Sequence, residues 1–365
     1  MTSRRLIILA ALAIVALLGA LLVTRQPSSG GDASQALYPK LKSELDAIKT
    51  VRLYQPGDKL AVELTRGEQG WTVAQRANYP AETAKVHRLL RALADAKQVE
   101  EKTSNPENYP TLGVEDISNA AATGSRVQLE GNETPVNLIV GKRGMGSQST
   151  YVRRADQPAS WLIDVNVEAP ASPQDWLNKD IVSIASNRIQ SATVAADGKT
   201  YTASKQSRDA ADFAVNGLPK GRELSSPSAA YSAGSALTAL TLADVKPAAE
   251  FADAKPDTTA TYRTFDGLVL ELNGWTRDGK HYLAVQPAFD EALEKQFHLE
   301  PAKPAETTGE APEGAPPSAP SPTSTVDAKA EAQKAGARLS GWVYEIPDYK
   351  YEVIFKPVEE LLKEK

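Results

Sequence analysis

Apolar and polar residues alternate along short runs of this chain, and Gly-containing turns separate the runs. A period of two is the pattern of half-buried strands in an antiparallel sheet. Val51 to Tyr54, Leu60 to Leu64 and Trp71 to Val73 predict three such strands. The period then lengthens. Val86, Leu89, Leu90, Leu93 and Ala94 fall on one stripe of a helix, which Pro80 is expected to open because its fixed φ suits a first helical position. Strands return at Val136 to Val140, Thr150 to Val152 and Trp161 to Asp164, and a Pro-led segment, Pro173 to Leu177, closes the series.

The same series recurs further on. Ile189 to Val194, Thr200 to Ser204 and Phe213 to Val215 repeat the three strands. Pro227, after Ser226 as its cap, is expected to open a matching helix with the stripe Ala233, Ala236, Leu237 and Leu240. Pro80 to Pro227, Leu90 to Leu237 and Leu93 to Leu240 share one offset of 147. Val136 to Leu268 gives 132, and Trp161 to Trp342 gives 181. His281 to Leu283 repeats the aromatic strand, and Pro357 to Leu361 repeats the closing segment. The chain therefore reads as two α+β copies, at 49–180 and 181–365. The jump in offset places an insertion in the second copy at about 299–338. Its centre, Pro301 to Thr325, is rich in Pro, Ala, Ser, Thr and Glu and lacks apolar periodicity, so it predicts disorder. Phe289 to Phe297 and Asp327 to Leu339 are expected to flank it as helical arms.

Ahead of the copies lies an unbroken apolar run, Leu6 to Val23, bracketed by Arg4, Arg5 and Arg25. Eighteen helical residues span about 27 Å, close to the hydrocarbon thickness of a bilayer. The run is longer than a signal-peptide core, and Leu21 to Arg25 offers no A-x-A cleavage pattern. We therefore expect 1–25 to be a cytoplasmic tip and an uncleaved single-pass anchor in a bacterial cytoplasmic membrane, with a cleaved signal peptide as the competing reading. Arg4 and Arg5 hold the N-terminus inside, and the bulk then lies outside or in the periplasm. They only faintly resemble a twin-arginine signal. Residues 26–48 are expected to form a Pro/Ser/Gly linker and an amphipathic stalk helix through Leu37, Leu41, Leu45 and Ile48. The expected fold class is thus α+β: a single N-terminal transmembrane helix, then two similar units of antiparallel strands plus a helix.

Charge narrows the partners. Setting aside Arg4, Arg5 and Arg25, 38 basic residues face 46 acidic ones, a balance of −8. That argues against nucleic acid and against electrostatic docking on anionic lipid. With no cysteine in the chain, disulfides, thiolate metal sites and lipoprotein acylation are excluded.

Candidate chemistry is sparse. His87, His281 and His298 are scattered and lack the spacing of a metal site. Gly141 to Ser147 superficially resembles a phosphate loop, but its lysine precedes the last glycine and its flanks read as strands, so a hairpin turn is expected. Thr276 to Gly279 is the matching turn. Acidic neighbours such as Glu359 and Glu360, or Asp209 and Asp212, lie in polar surface patterns. Trp71, Trp161, Trp176, Trp275 and Trp342 could stack on sugars, yet Trp161 and Trp342 read as equivalent positions, which favours packing. Asn132 to Thr134 fits a glycosylation sequon. No catalytic, cofactor-binding or metal residue is selected, and no enzyme activity or cofactor is expected.

Several segments together carry a family resemblance: the apolar run, Ile48 to Leu53, Gly70 to Val73, Leu89-Leu90-x-x-Leu93, Tyr109-x-x-Leu112-Gly113-Val114, and Trp176 to Val182. From Ile48 onward the chain resembles the bacterial family called domain of unknown function 4340. The resemblance implies a companion of ABC transporters of the gliding-motility type, with permease and ATPase subunits as partners. It implies no catalytic residues. The Pro-rich insertion departs from the family's compact pattern. The expectation is a non-enzymatic accessory subunit of an envelope complex, attached to the bilayer through 6–23. The alternative is a module that binds an envelope glycan, peptide or lipid in a cleft between the two copies.

Overall fold

Antiparallel pairing dominates the architecture, and helices are few. The computed structural model describes residues 35–145, 148–297 and 327–364. The apolar run 6–23, His298 and the centre of the insertion lie outside them. Among the described residues no helix is long and apolar enough to cross a membrane. The chain forms a mixed α+β structure of two compact units, one built from residues up to Trp71 and Thr83–Ser172, the other from Thr72–Glu82 and from Pro173 onward.

Ten strands precede residue 173: β1 Gln35–Ala36, β2 Thr50–Gln55, β3 Lys59–Gly67, β4 Gly70–Val73, β5 Tyr79–Pro80, β6 Lys97–Thr103, β7 Ser125–Glu130, β8 Val136–Arg143, β9 Thr150–Arg154 and β10 Ser160–Ile163. The first unit's sheet runs β1-β6-β10-β9-β8-β7-β2-β3-β4. Helix α1, Thr83–Asp95, buries Val86, Leu89, Leu90, Leu93 and Ala94, the stripe its spacing predicts.

The later strands are β11 Asp180–Val182, β12 Ile189–Ala196, β13 Lys199–Ser204, β14 Ala214–Asn216, β15 Leu240–Thr241, β16 Asp244–Pro247, β17 Thr258–Thr264, β18 Leu268–Arg277, β19 Lys280–Phe289 and β20 Trp342–Ile346. The second unit's main sheet runs β14-β13-β12-β17-β18-β19-β20-β16, and β11 pairs with β15. Helices α2 Tyr231–Ser235, α3 Glu291–Phe297, α4 Ala328–Leu339 and α5 Asp348–Ile354 complete it. Read from β4 to β6 and from β14 to β16, the two orders are the same element for element. The duplication seen in the sequence is therefore a duplication of topology.

The ladders correct its register. Val136 lies opposite Leu129, and Leu270 lies opposite Tyr262. Leu129 and Tyr262 in turn face Val51 and Ala192, the equivalent residues of β2 and β12. Val136 thus corresponds to Leu270, not Leu268. In the same way Val152 faces Trp161 and Leu283 faces Tyr344. Trp161 therefore corresponds to Tyr344, not Trp342. A slip of two residues keeps every side chain on its own face, so alternation alone could not detect it.

Three other expectations change. Pro80 does not open α1, which starts at Thr83; it sits in β5. The Pro80 carbonyl accepts from Asn178 N–H at 3.0 Å, and Glu82 N–H donates to the Trp176 carbonyl at 2.7 Å. The same pair of bonds joins Lys363 to Glu223 at 3.0 Å and Ser225 to Leu361 at 2.8 Å. Pro80 therefore corresponds to Glu223. The second copy carries about one extra helical turn of chain before its stripe resumes. Its helix is also shorter: α2 holds five residues, and Leu240 has joined β15. Ala, Gly and Ser give that segment little to bury, and a Cβ on Gly234 would stand 3.1 Å from the Phe213 ring.

The expected stalk is not one. Leu41–Glu44 is a single turn, Leu45–Ala47 continues as a 3-10 turn, and Leu37, Leu41 and Ile48 are buried in the core. The helical arms expected at Phe289 to Phe297 and Asp327 to Leu339 are present as α3 and α4; the second takes up the outer part, 328–338, of the insertion. Its cap is Asp327, whose carboxylate accepts from Ala330 N–H at 2.9 Å.

Residues Thr72–Glu82 act as a strap within the second unit. Tyr79 stands edge-on to Trp342, with centroids 5.0 Å apart, and to Tyr344 at 6.3 Å. Burial pushes its phenol up to about 12. Arg76 grips Asp244 with two hydrogen bonds of 2.5 and 2.8 Å, and Gln174 adds a third at 3.0 Å. Burial alone would raise the Asp244 carboxyl, but these donors and the Val245 N–H outweigh it and hold it below the ordinary carboxylate value. The folded state therefore favours the charged form. The stabilisation is fully present above an unfolded Asp value of about 3.9 and is lost as pH falls below it. Denaturant titrations at pH 6 and pH 3 should differ less in Asp244→Asn than in the parent. An equal difference would remove Asp244 from the acid response.

Candidate functional site

A trough of about 510 Å³ lies in the second unit between α4, β18 and the residues at the end of β11. The alternation of β18 sends buried Leu268 and Leu270 to its floor, with Ile184 and half-buried Val182 beside them. One wall is α4. Asp327, Glu331, Lys334 and Arg338 recur at helical spacing and share that wall. The opposite face of α4 buries the small Ala328 and Ala332, with Leu339 at its end.

Most of the wall's charges are occupied. Asp327 caps the helix. Arg338 donates to the carbonyls of Asp180, at 2.6 Å, and Ile181. Glu331 receives Arg188 at 2.7 and 3.2 Å, and Arg188 also reaches Asp266 at 2.9 Å. Burial works against the Arg188 cation, but the two carboxylates more than compensate and raise its pKa further. Lys334 is exposed and, among the described residues, bonds to nothing. An apolar floor with one free ammonium at the rim suits an apolar or amphipathic ligand. Among the described residues no three of His, Cys, Asp or Glu gather as a metal site.

The residues examined by sequence are dispersed. His87 is exposed on α1. His281 stacks on Tyr351 at 4.2 Å, and its Nδ1 lies 3.2 Å from the Thr276 hydroxyl. Gly141 to Arg143 belongs to β8, which pairs with β9, so the glycine-rich stretch leads into a hairpin; Gly146 and Ser147 lie outside the described residues. The matching turn places Asp278 at φ 52° and Gly279 at φ 71°, as a tight hairpin between twisted strands requires. Glu359 pairs with Lys199, and Glu360 lies 3.9 Å from Lys356. Trp71, Trp176 and Trp275 are buried, while Trp161 and Trp342 are half-buried. The Asn132 amide donates to the Thr134 carbonyl. Sequence reasoning missed the trough because its floor and wall are some 60 residues apart in the chain, on either side of the Pro-rich stretch.

Residues 71–263, more than half of the chain, match the family described as Domain of unknown function (DUF4340). The chain belongs to this family. The DUF4340 match opens on Trp71, takes in the strap and α1, and ends at Arg263 in β17. The trough's floor and α4 thus fall beyond the DUF4340 match. Neither the curated proteins nor the solved structures contain a match.

Proposed function

We propose that this DUF4340 protein is a non-enzymatic accessory subunit, anchored in a bacterial cytoplasmic membrane with its body outside, that works within an ABC-transporter-type envelope complex. The observation that carries the reading is Leu6 to Val23, an apolar run of bilayer length that leads into a duplicated sheet scaffold. The charges lining the trough beside α4 are largely spent on holding that helix, as suits a structural role. The transporter assignment rests on the family resemblance. A mild-detergent pull-down of the full-length tagged protein from native membranes, read by mass spectrometry, tests it. The expected result is an ATPase and a multispan permease. Recovery of the protein alone overturns the assignment.

A second reading, an envelope ligand-binding module, is favoured by the trough at Leu268, Leu270 and Lys334. Saturable uptake of an apolar or amphipathic envelope component, weakened by Leu270→Glu, would support it.

A further inference from the structure

A second cleft in the second unit differs from the trough in its lining. It encloses about 340 Å³ where α4 ends and β20 begins, beside β19. The two share no lining residue. None of the ten residues around this cleft is charged, although Asp, Glu, Lys and Arg make up 24% of the chain. A charged ligand would find no counter-ion in the lining. The inserted helix α4 supplies one wall, and the first copy lacks it. There residues 155–159 join β9 to β10 directly, and Ala159 stands at the position of Trp342.

Trp342 is the cleft's one aromatic residue. Trp71 and Trp176 are buried, and buried Trp275 donates its indole N–H to the Ala254 carbonyl at 3.1 Å. Trp342 instead stays half-buried, and its indole N–H bonds to nothing among the described residues. Tyr79, edge-on at 5.0 Å, braces the ring, so a ligand meets it already ordered. Gln286 and Ser340 are exposed, and their side chains also bond to nothing among the described residues. The carboxamide and the hydroxyl can each donate and accept. Gly336 and Gly341 keep the space beside them open, since a Cβ on either would meet no atom within 4 Å. Gly341 also needs its freedom at φ 86°, where its carbonyl accepts from Ala248 N–H at 2.8 Å.

We propose that this cleft binds a neutral sugar ring, stacked on the Trp342 indole and hydrogen-bonded by its N–H, by Gln286 and by Ser340. A pyranose has both features that the lining answers. Its C–H groups form an apolar face that an aromatic ring can cover. Its hydroxyls donate and accept, as do an amide and a hydroxyl. An acyl chain would cover the ring but leave the polar groups unpaired. A phosphate or carboxylate would find donors but no cation to pair with. The volume lies at the lower end of the roughly 300–1,000 Å³ of small-molecule sites, which suits one or two rings. The site rests neither on the accessory-subunit reading nor on the trough.

Indole N–H signals of the full-length, ¹⁵N-labelled protein, in a detergent without a sugar head group, provide the test. The chain has five tryptophans, and Trp342→Phe identifies the signal concerned. The methyl glycosides of glucose, galactose and N-acetylglucosamine are titrated separately, with sorbitol as an acyclic control. The expected result is a saturable displacement of the Trp342 signal by at least one glycoside and none by sorbitol. Gln286→Ala, an exposed change that leaves the core intact, should weaken that binding about three- to tenfold, as expected for losing one neutral hydrogen bond. A signal that no glycoside moves overturns the proposal. So does one that sorbitol moves equally, or an affinity that Gln286→Ala leaves unchanged.

Discussion

Residues 173–365, expressed alone, are expected not to fold. The cut follows the main boundary between the units, yet it removes the strap, Thr72–Glu82, that belongs to the second one. Three losses coincide. Tyr79, 3% exposed, leaves a vacancy against Trp342 and Tyr344. Deleting a large buried aromatic side chain typically costs about 3–5 kcal/mol. Asp244 loses both hydrogen bonds from Arg76 and stays half-buried without its counter-charge. The closing segment loses its bridge from Leu177 to Ala81 and its bonds to Pro80 and Glu82. Together these rival the whole stability of an ordinary domain, about 5–15 kcal/mol. Amide dispersion and denaturant unfolding check the outcome. A synthetic peptide covering 70–84, added in excess, should restore part of the native spectrum. Cooperative unfolding of 173–365 without the peptide would show that the strap is dispensable.

The second large effect is expected at Arg188. Its guanidinium joins Asp266, at the turn between β17 and β18, to Glu331 on α4. Removing one member of a fully buried ion pair costs about 3–5 kcal/mol, because the remaining charge has no counter-ion. Glu331 keeps 30% of its side-chain exposure, so water can screen part of the loss. Arg188→Met should therefore destabilise by about 2–4 kcal/mol. Adding Asp266→Asn and Glu331→Gln should recover much of it, since no uncompensated charge is left behind. Unfolding midpoints of the three proteins decide the matter. A single variant that unfolds with the parent would mean that the triad contributes no net stability.

The strands were legible because each shows one face to a core and the other outward, and that constraint writes itself into alternate residues. Val51 and Leu53, Leu138 and Val140, and Leu270 and Leu272 are all buried as the alternation predicts. Their pairing was not legible to the residue. The β-period cannot distinguish Leu268 from Leu270, or Trp342 from Tyr344, and only the ladders separate them. Leu37, Leu41 and Ile48 misled for a related reason. Helical spacing of apolar residues records that they are buried, and a single turn followed by an extended segment can bury them equally well. Pro80 was ambiguous because a φ near −65° serves the edge of a strand as readily as the start of a helix. A small cleft in the first unit, lined by Trp71, His87, Arg66 and Arg91 among others, left the weakest trace. No local pattern says that His87 on α1 and Trp71 on β4 line one cleft with Arg66 and Arg91.

One asymmetry between the copies bears on how the second sheet closes. In the first unit β9 reaches β10 through residues 155–159, whereas β19 reaches β20 through residues 290–341. A connection roughly ten times longer raises the entropy of loop closure by about 2 kcal/mol. Helix α4 packs against β18 and β19 and, held by Arg188, stands directly before β20. It shortens the span that must be closed when β20 docks, much as a knot tied partway along a rope shortens the slack. Further lengthening of the chain between α3 and α4 should then cost little, while melting α4 should unseat β20 along with it.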